Sequence, residues 1–143
     1  MKILAMKSSG DRTSVSVILN DEINSFSMVH ARKERPNWEM FLENIGLNNT
    51  FILKDIDVFA FANNQNSYTA TRAIASYMKG LTVALNKPLI SIEDETKDNL
   101  DADSIALKAQ KIFEKKGNNN TEFDPSNANP SYKEDVKFKK LNE

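Results

Sequence analysis

The chain has 143 residues, 40% hydrophobic and 27% charged, which suits one compact domain and leaves no room for two of ordinary size. A formal net charge of -1 and a pI near 5.9 exclude the basic footprint of a protein that grips a nucleic-acid backbone unaided, so a role on RNA would need a partner. The lack of cysteine excludes disulfides and thiolate metal sites, and no apolar run approaches the roughly 20 residues of a membrane span.

Residues 2–6 read as a short buried strand, with too brief an apolar run for a signal peptide before charge returns at Lys7. The cytoplasm is the expected location. Ser8-Ser9-Gly10-Asp11 is a turn cluster. From Thr13 the residues alternate, with Val15, Val17 and Leu19 on one face and Ser14, Ser16 and Ile18 on the other. That pattern predicts a strand with one face in the core. Asn20-Asp21 makes a tight turn into a third strand holding Ile23, Phe26, Met28 and His30, so 13–19 and 22–30 form an antiparallel hairpin.

The period then changes. Glu34, Trp38, Phe41, Leu42 and Ile45 recur at helical spacing, and Gly46 is suited to end that helix. Residues 56–61 form a buried strand. A longer helix follows from Ser67, a good N-cap, to Asn86, and Pro88 stops it before the strand at 89–92. The order β-β-β-α-β-α-β predicts an α/β fold with a mixed five-stranded sheet, parallel in its second half. Beyond it, Ile105, Leu107, Ala109, Ile112 and Phe113 predict a third helix ending at Gly117. The expected division is 1–94 as the main lobe, 95–117 as acidic linker and C-terminal helix, and 118–143 as a polar, lysine-rich tail lying on or near the lobe.

The helix at 67–86 carries two stripes. Ile74, Met78, Leu81 and Leu85 are large and apolar, and at about 100° per residue they form one line that fills space above a sheet. Ala70, Ala73, Tyr77, Gly80 and Ala84 form a second line, mostly small, along which another helix axis can come close. Either the first helix docks there within the chain, or a second subunit does. One small domain does not easily bury both stripes and Trp38 as well.

Catalytic groups are scarce. His30 is the sole histidine, with no Ser or Asp arrangement to orient it, and reads as an ordinary strand-end group. No metal-ligand spacing occurs. Asp55 and Asp57 limit a strand, and Glu93-Asp94-Glu95 is a solvated run. The loop Ala62-Asn63-Asn64-Gln65-Asn66-Ser67 lacks the glycines that let backbone N–H groups approach phosphates, and Lys7-Ser8-Ser9-Gly10 has a lysine where a magnesium-binding carboxylate would help. No enzymatic activity, cofactor or metal is expected.

Several segments resemble the TsaB (YeaZ) family, whose members support threonylcarbamoyladenosine synthesis on tRNA. Met1-Lys2-Ile3-Leu4-Ala5-Met6-Lys7-Ser8-Ser9 is similar to the family's opening M-x-I-L-A-I-D-T-S. Ala60-Phe61-Ala62 through Ser67-Tyr68-Thr69-Ala70-Thr71-Arg72 resembles A-(F/Y)-G-x-G-P-G-S-(F/Y)-T-G-x-R without its glycines. Lys79-Gly80-Leu81 and Lys87-Pro88-Leu89-Ile90-Ser91-Ile92 follow as in the family, and Pro130-Ser131-Tyr132 to Leu141 resembles its closing segment. The likeness covers 1–92 well and 103–141 loosely, with most of the second lobe missing between them, as if by internal shortening. The His-Thr expected near Glu34-Arg35-Pro36 is also missing.

The resemblance implies a single actin-like (ribonuclease-H-like) lobe closed by a C-terminal helix. It also implies a non-catalytic subunit that dimerises with a TsaD-like catalytic protein through its two helices. A TsaE-like ATPase would join them, and tRNA would be met only through the complex. The partner surface would draw on Trp38, Phe41, Tyr68, Arg72, Ala75, Met78, Lys79 and Thr82. In isolation the same helices would form a homodimer. Rival readings are a degenerate actin-like nucleotide-binding protein and a repurposed homodimeric binding module.

Overall fold

A computed structural model describes residues 1–9, 11–30, 37–63, 68–93, 101–116 and 123–125. Strands β1 (Lys2–Ser8), β2 (Arg12–Leu19) and β3 (Glu22–Val29) run antiparallel in sequence order. The β2–β3 turn is tight because Asn20 and Asp21 both sit in the left-handed region, at φ 52° and 75°, which these two side chains tolerate better than most. Helix α1 (Trp38–Asn44) leads through a short 3-10 turn to β4 (Val58–Asn63), which pairs parallel with β1. Helix α2 (Tyr68–Leu85) crosses over to β5 (Leu89–Glu93), parallel to β4, and α3 (Ala102–Lys115) closes the order. The sheet reads β3-β2-β1-β4-β5, the mixed five-stranded arrangement that the element order predicted.

Both sheet faces are covered. Leu4, Met6, Val15, Val17, Phe59, Phe61 and Leu89 pack under α1 and α2. Ile3, Ala5, Ile18, Val58, Ala60, Ala62, Ile90 and Ile92 pack under α3, against Ile105, Ala106, Ala109 and Phe113. Burial on two sides explains why β4 reads as an unbroken apolar run. It also corrects the expectation for β2, whose serine-bearing face was to be solvated: Ser16 and Ile18 are fully buried because α3 lies over them. Helix α3 therefore shares one core with the strands before it.

Helix ends follow local chemistry. Helix α1 begins at Trp38, later than the spacing predicted, with Asn37 as N-cap accepting a 3.2 Å bond from the Met40 N–H. Its predicted start at 34–36 lies outside the described residues. Gly46 ends it as expected, at φ +111°. The N–H of Gly46 donates to the Glu43 carbonyl and that of Leu47 to Leu42, so two otherwise open carbonyls are satisfied. Asn86, at φ 56°, closes α2 in the same way, two residues before Pro88, its N–H reaching Val83 and that of Lys87 reaching Thr82. In α3, Leu107 was expected in the core but is 42% exposed, and Ala106 takes the inward position.

Of the tail, Phe123 packs its ring 5.7 Å from that of Phe113. The predicted N-cap Ser67 and residues 118–122 and 126–143 lie outside the described residues. No described helix is long and apolar enough to cross a membrane.

Candidate partner-binding face

Helix α2 is laid on the sheet by its large stripe. Ile74 and Met78 are fully buried, and Leu81 and Leu85 pack at the edge of the same cluster. Thr71 and Thr82 are buried with them. A hydroxyl there is tolerable because Thr82 Oγ1 donates to the Met78 carbonyl, one turn back, at 2.7 Å.

The small stripe faces away. Ala73, Gly80 and Ala84 are exposed, Ala70 is half-buried, and a methyl group built at Gly80 would meet open space. Val83 adds the largest apolar surface, at 65% exposure. From Ile74 to Val83, at about 100° per residue, the helix turns to its opposite side, which is why one is enclosed and the other bare. Helix α1 meets this stripe at Tyr77 and leaves Ala73, Gly80 and Ala84 exposed. It sits over β2 and β3, where Phe41 meets the Phe26 ring edge-on at 5.4 Å and Asn24 Nδ2 donates to the Ile45 carbonyl at 3.0 Å. Trp38 stacks on Tyr77, ring centroids 5.3 Å apart and planes at 23°, which ties the start of α1 to the middle of α2. Burial pushes the Tyr77 phenol above its ordinary value, and the charge of Glu39 adds to the rise.

The predicted surface residues divide. Phe41, Ala75, Met78 and Thr82 are buried within the lobe, each at 2% exposure or less. Arg72 is exposed, and Trp38 and Lys79 are half-buried at the rim of the face. The side chain of Tyr68 lies outside the described residues. Val83 was missed, although its spacing from Ala73, Ser76 and Gly80 along one side of the helix was available to mark it.

A polar seam runs along the carboxyl ends of β1, β4 and β5. Thr13 Oγ1 donates to Ser8 Oγ at 3.0 Å and lies 2.7 Å from His30 Nε2, an arrangement satisfied when the ring donates at that nitrogen. Asn63 Nδ2 donates to Ser91 Oγ and to Glu93 Oε1, each at 3.3 Å. Lys7 is 6% exposed beneath the start of α3. There Asp101 caps the helix, its carboxyl held below the usual range by bonds from Ser104 and, to a lesser extent, by the charge of Lys7. Asp57, next to β4, accepts from the Lys2 N–H at 2.8 Å, the strand-limiting task expected of it, whereas Asp55 accepts from the Ile52 N–H at 3.2 Å and caps the 3-10 turn instead. Among the described residues no three His, Asp or Glu side chains gather closely enough to hold a metal ion. Residues 64–67 of the loop after β4 lie outside them.

Solved structures that share this fold include YeaZ from Pseudomonas aeruginosa and a protein described as uncharacterized with similarity to peptidase YeaZ, also from Pseudomonas aeruginosa. Both align at a TM-score of 0.60 and 21% identity over 81% of this chain. The chain spans about half their length, matching 50% of the first and 49% of the second. No protein-family model and no curated protein matches. At that identity the likeness establishes the α/β lobe and its topology, in accord with an actin-like lobe.

Proposed function

We propose that this chain is a TsaB-like subunit, without catalytic groups of its own, that binds and supports a TsaD-like protein in threonylcarbamoyl transfer to tRNA. The observation that carries the reading is the outward side of α2. Ala73, Gly80, Val83 and Ala84 form an exposed, low-relief apolar strip on a helix whose other side is fully engaged. Such a strip lets a second helix axis approach closely with little side chain between the backbones. Arg72 and Lys79 flank it with charge, the polar rim common at protein interfaces, and the Trp38–Tyr77 stack bounds it on the α1 side. A TsaE-like ATPase and tRNA would be reached through the complex, in keeping with a net charge of -1 on the chain itself.

Co-purification of the full chain with a TsaD-like protein tests this. Arg72→Glu or Ala73→Trp should abolish capture while leaving the circular-dichroism spectrum and thermal midpoint intact, since both positions are exposed. Undiminished capture by both variants would remove the α2 face from the account.

A further inference from the structure

Among the described residues strand β3 is an edge of the sheet, and its hairpin decides which backbone groups it offers. In a two-residue hairpin the closing pair, here Leu19 and Glu22, exchanges both backbone bonds, so the even-numbered residues of β3 point their N–H and C=O groups at β2. The N–H of His30, also even-numbered, accordingly donates to the Asp11 carbonyl at 2.8 Å. Ile23, Ser25, Ser27 and Val29 therefore hold theirs outward.

Edges are usually blunted by lysine, proline or a bulge. Strand β3 has none of these: its register with β2 is one-for-one from Arg12↔Val29 to Leu19↔Glu22, and Glu22 is its sole charge. It also exposes Ile23 at 41%, Met28 at 39% and Val29 at 72%. The other edge, β5, is shorter, follows Pro88 directly and ends in Glu93.

We propose that β3 pairs antiparallel with β3 of a second copy of this chain, in the register that places Phe26 on the two-fold axis. Opposed residues must share a sheet face, so allowed registers step by two. With Phe26 central, Ile23 faces Val29 of the second copy and Ser25 faces Ser27, and these outward-pointing residues exchange the backbone bonds. Asn24 faces Met28, and Glu22 faces His30, an acid against an imidazole. Each pairing occurs twice by symmetry. Centring on Ser25 instead sets Ile23 against Ser27, Glu22 against Met28 and Val29 against Asp21, losing the apolar match. The strand is thus self-complementary in one register, and β2 separates it from the strands beneath α2. The proposal stands apart from the α2 face, and both surfaces can be engaged at once.

Sedimentation of the full chain up to about 100 µM should show a dimer. Ile23→Lys with Val29→Lys should weaken it by roughly tenfold or more at an unchanged thermal midpoint. Ser25→Pro should do the same, because it removes an outward N–H and leaves the bonds to β2. The natural chain has no cysteine, so mixing Ile23→Cys with Val29→Cys should give a disulfide-linked pair under mild oxidation, the opposed Cα atoms lying about 5.5 Å apart. A monomer throughout the concentration range, a dimer that survives the lysine pair, or a dimer lost on Ala73→Trp instead would overturn the proposal.

Discussion

The hydroxyl of Ser16, midway along β2, donates a 2.6 Å hydrogen bond to the carboxylate of Asp103 in the first turn of α3, joining positions 87 apart in sequence. This bond fixes where α3 lies on its sheet face. Ser16 is fully enclosed, so its hydroxyl has no water to fall back on. Replacing it with alanine strips a charged acceptor of its partner, and bonds of that kind contribute about 1.5–3 kcal/mol. Urea unfolding of Ser16→Ala should show a loss in that range. A double-mutant cycle with Asp103→Ala should recover most of it as coupling, and additive losses would mean the two residues act separately.

Gly46 is held where a side chain cannot follow. At φ +111° the backbone is strained for any L residue, and an added Cβ would collide with Thr50 Oγ1. Gly46→Ala should cost about 1–3 kcal/mol on both grounds together. Pairing it with Thr50→Ala relieves the collision and leaves the φ penalty, so partial recovery in denaturant melts is the expected result. Full stability of the single variant would show that the turn can reorganise.

The two sides of α2 should answer differently to mutation. Met78→Ala empties a fully buried site and should lower unfolding free energy by about 2–5 kcal/mol. Val83→Ser, on the exposed side, should change it by no more than about 0.5 kcal/mol. The proposed function adds that Val83→Ser weakens capture of a TsaD-like partner. Equal stability losses at the two positions would contradict the orientation of the helix.

Tyr77 gives the fold an alkaline limit. Burial first, and Glu39 second, raise its folded pKa above the ordinary 10.0, so the folded chain keeps the phenolic proton where the unfolded chain has lost it. Its contribution to stability is complete below pH 10.0 and disappears as pH rises through the folded value. Tyr77→Phe keeps a ring against Trp38 but removes the titration. Its stability should therefore fall less between about pH 9 and 11 than that of the parent chain. Parallel pH curves for the two proteins would assign the alkaline loss elsewhere.

The element order and sheet composition were written in local pattern. Alternation marked β2, the Asn20-Asp21 turn marked the hairpin, and helical spacing marked α1 and α2, because each depends on neighbours within a few residues. The lack of a histidine, cysteine or glycine-rich constellation was equally plain. What the sequence left open was orientation. Periodicity gives the phase of a helix about its axis, and a sheet must be present before one phase becomes inside. Phe41, Ala75, Met78 and Thr82, which the family resemblance assigns to a partner surface, are enclosed by the lobe, and Val83 is left bare by the same packing. Ser16 looked solvated by alternation alone, and only α3, arriving from 87 residues away, turned it inward. Local spacing set what each element is; long-range burial decided which of its sides is the surface.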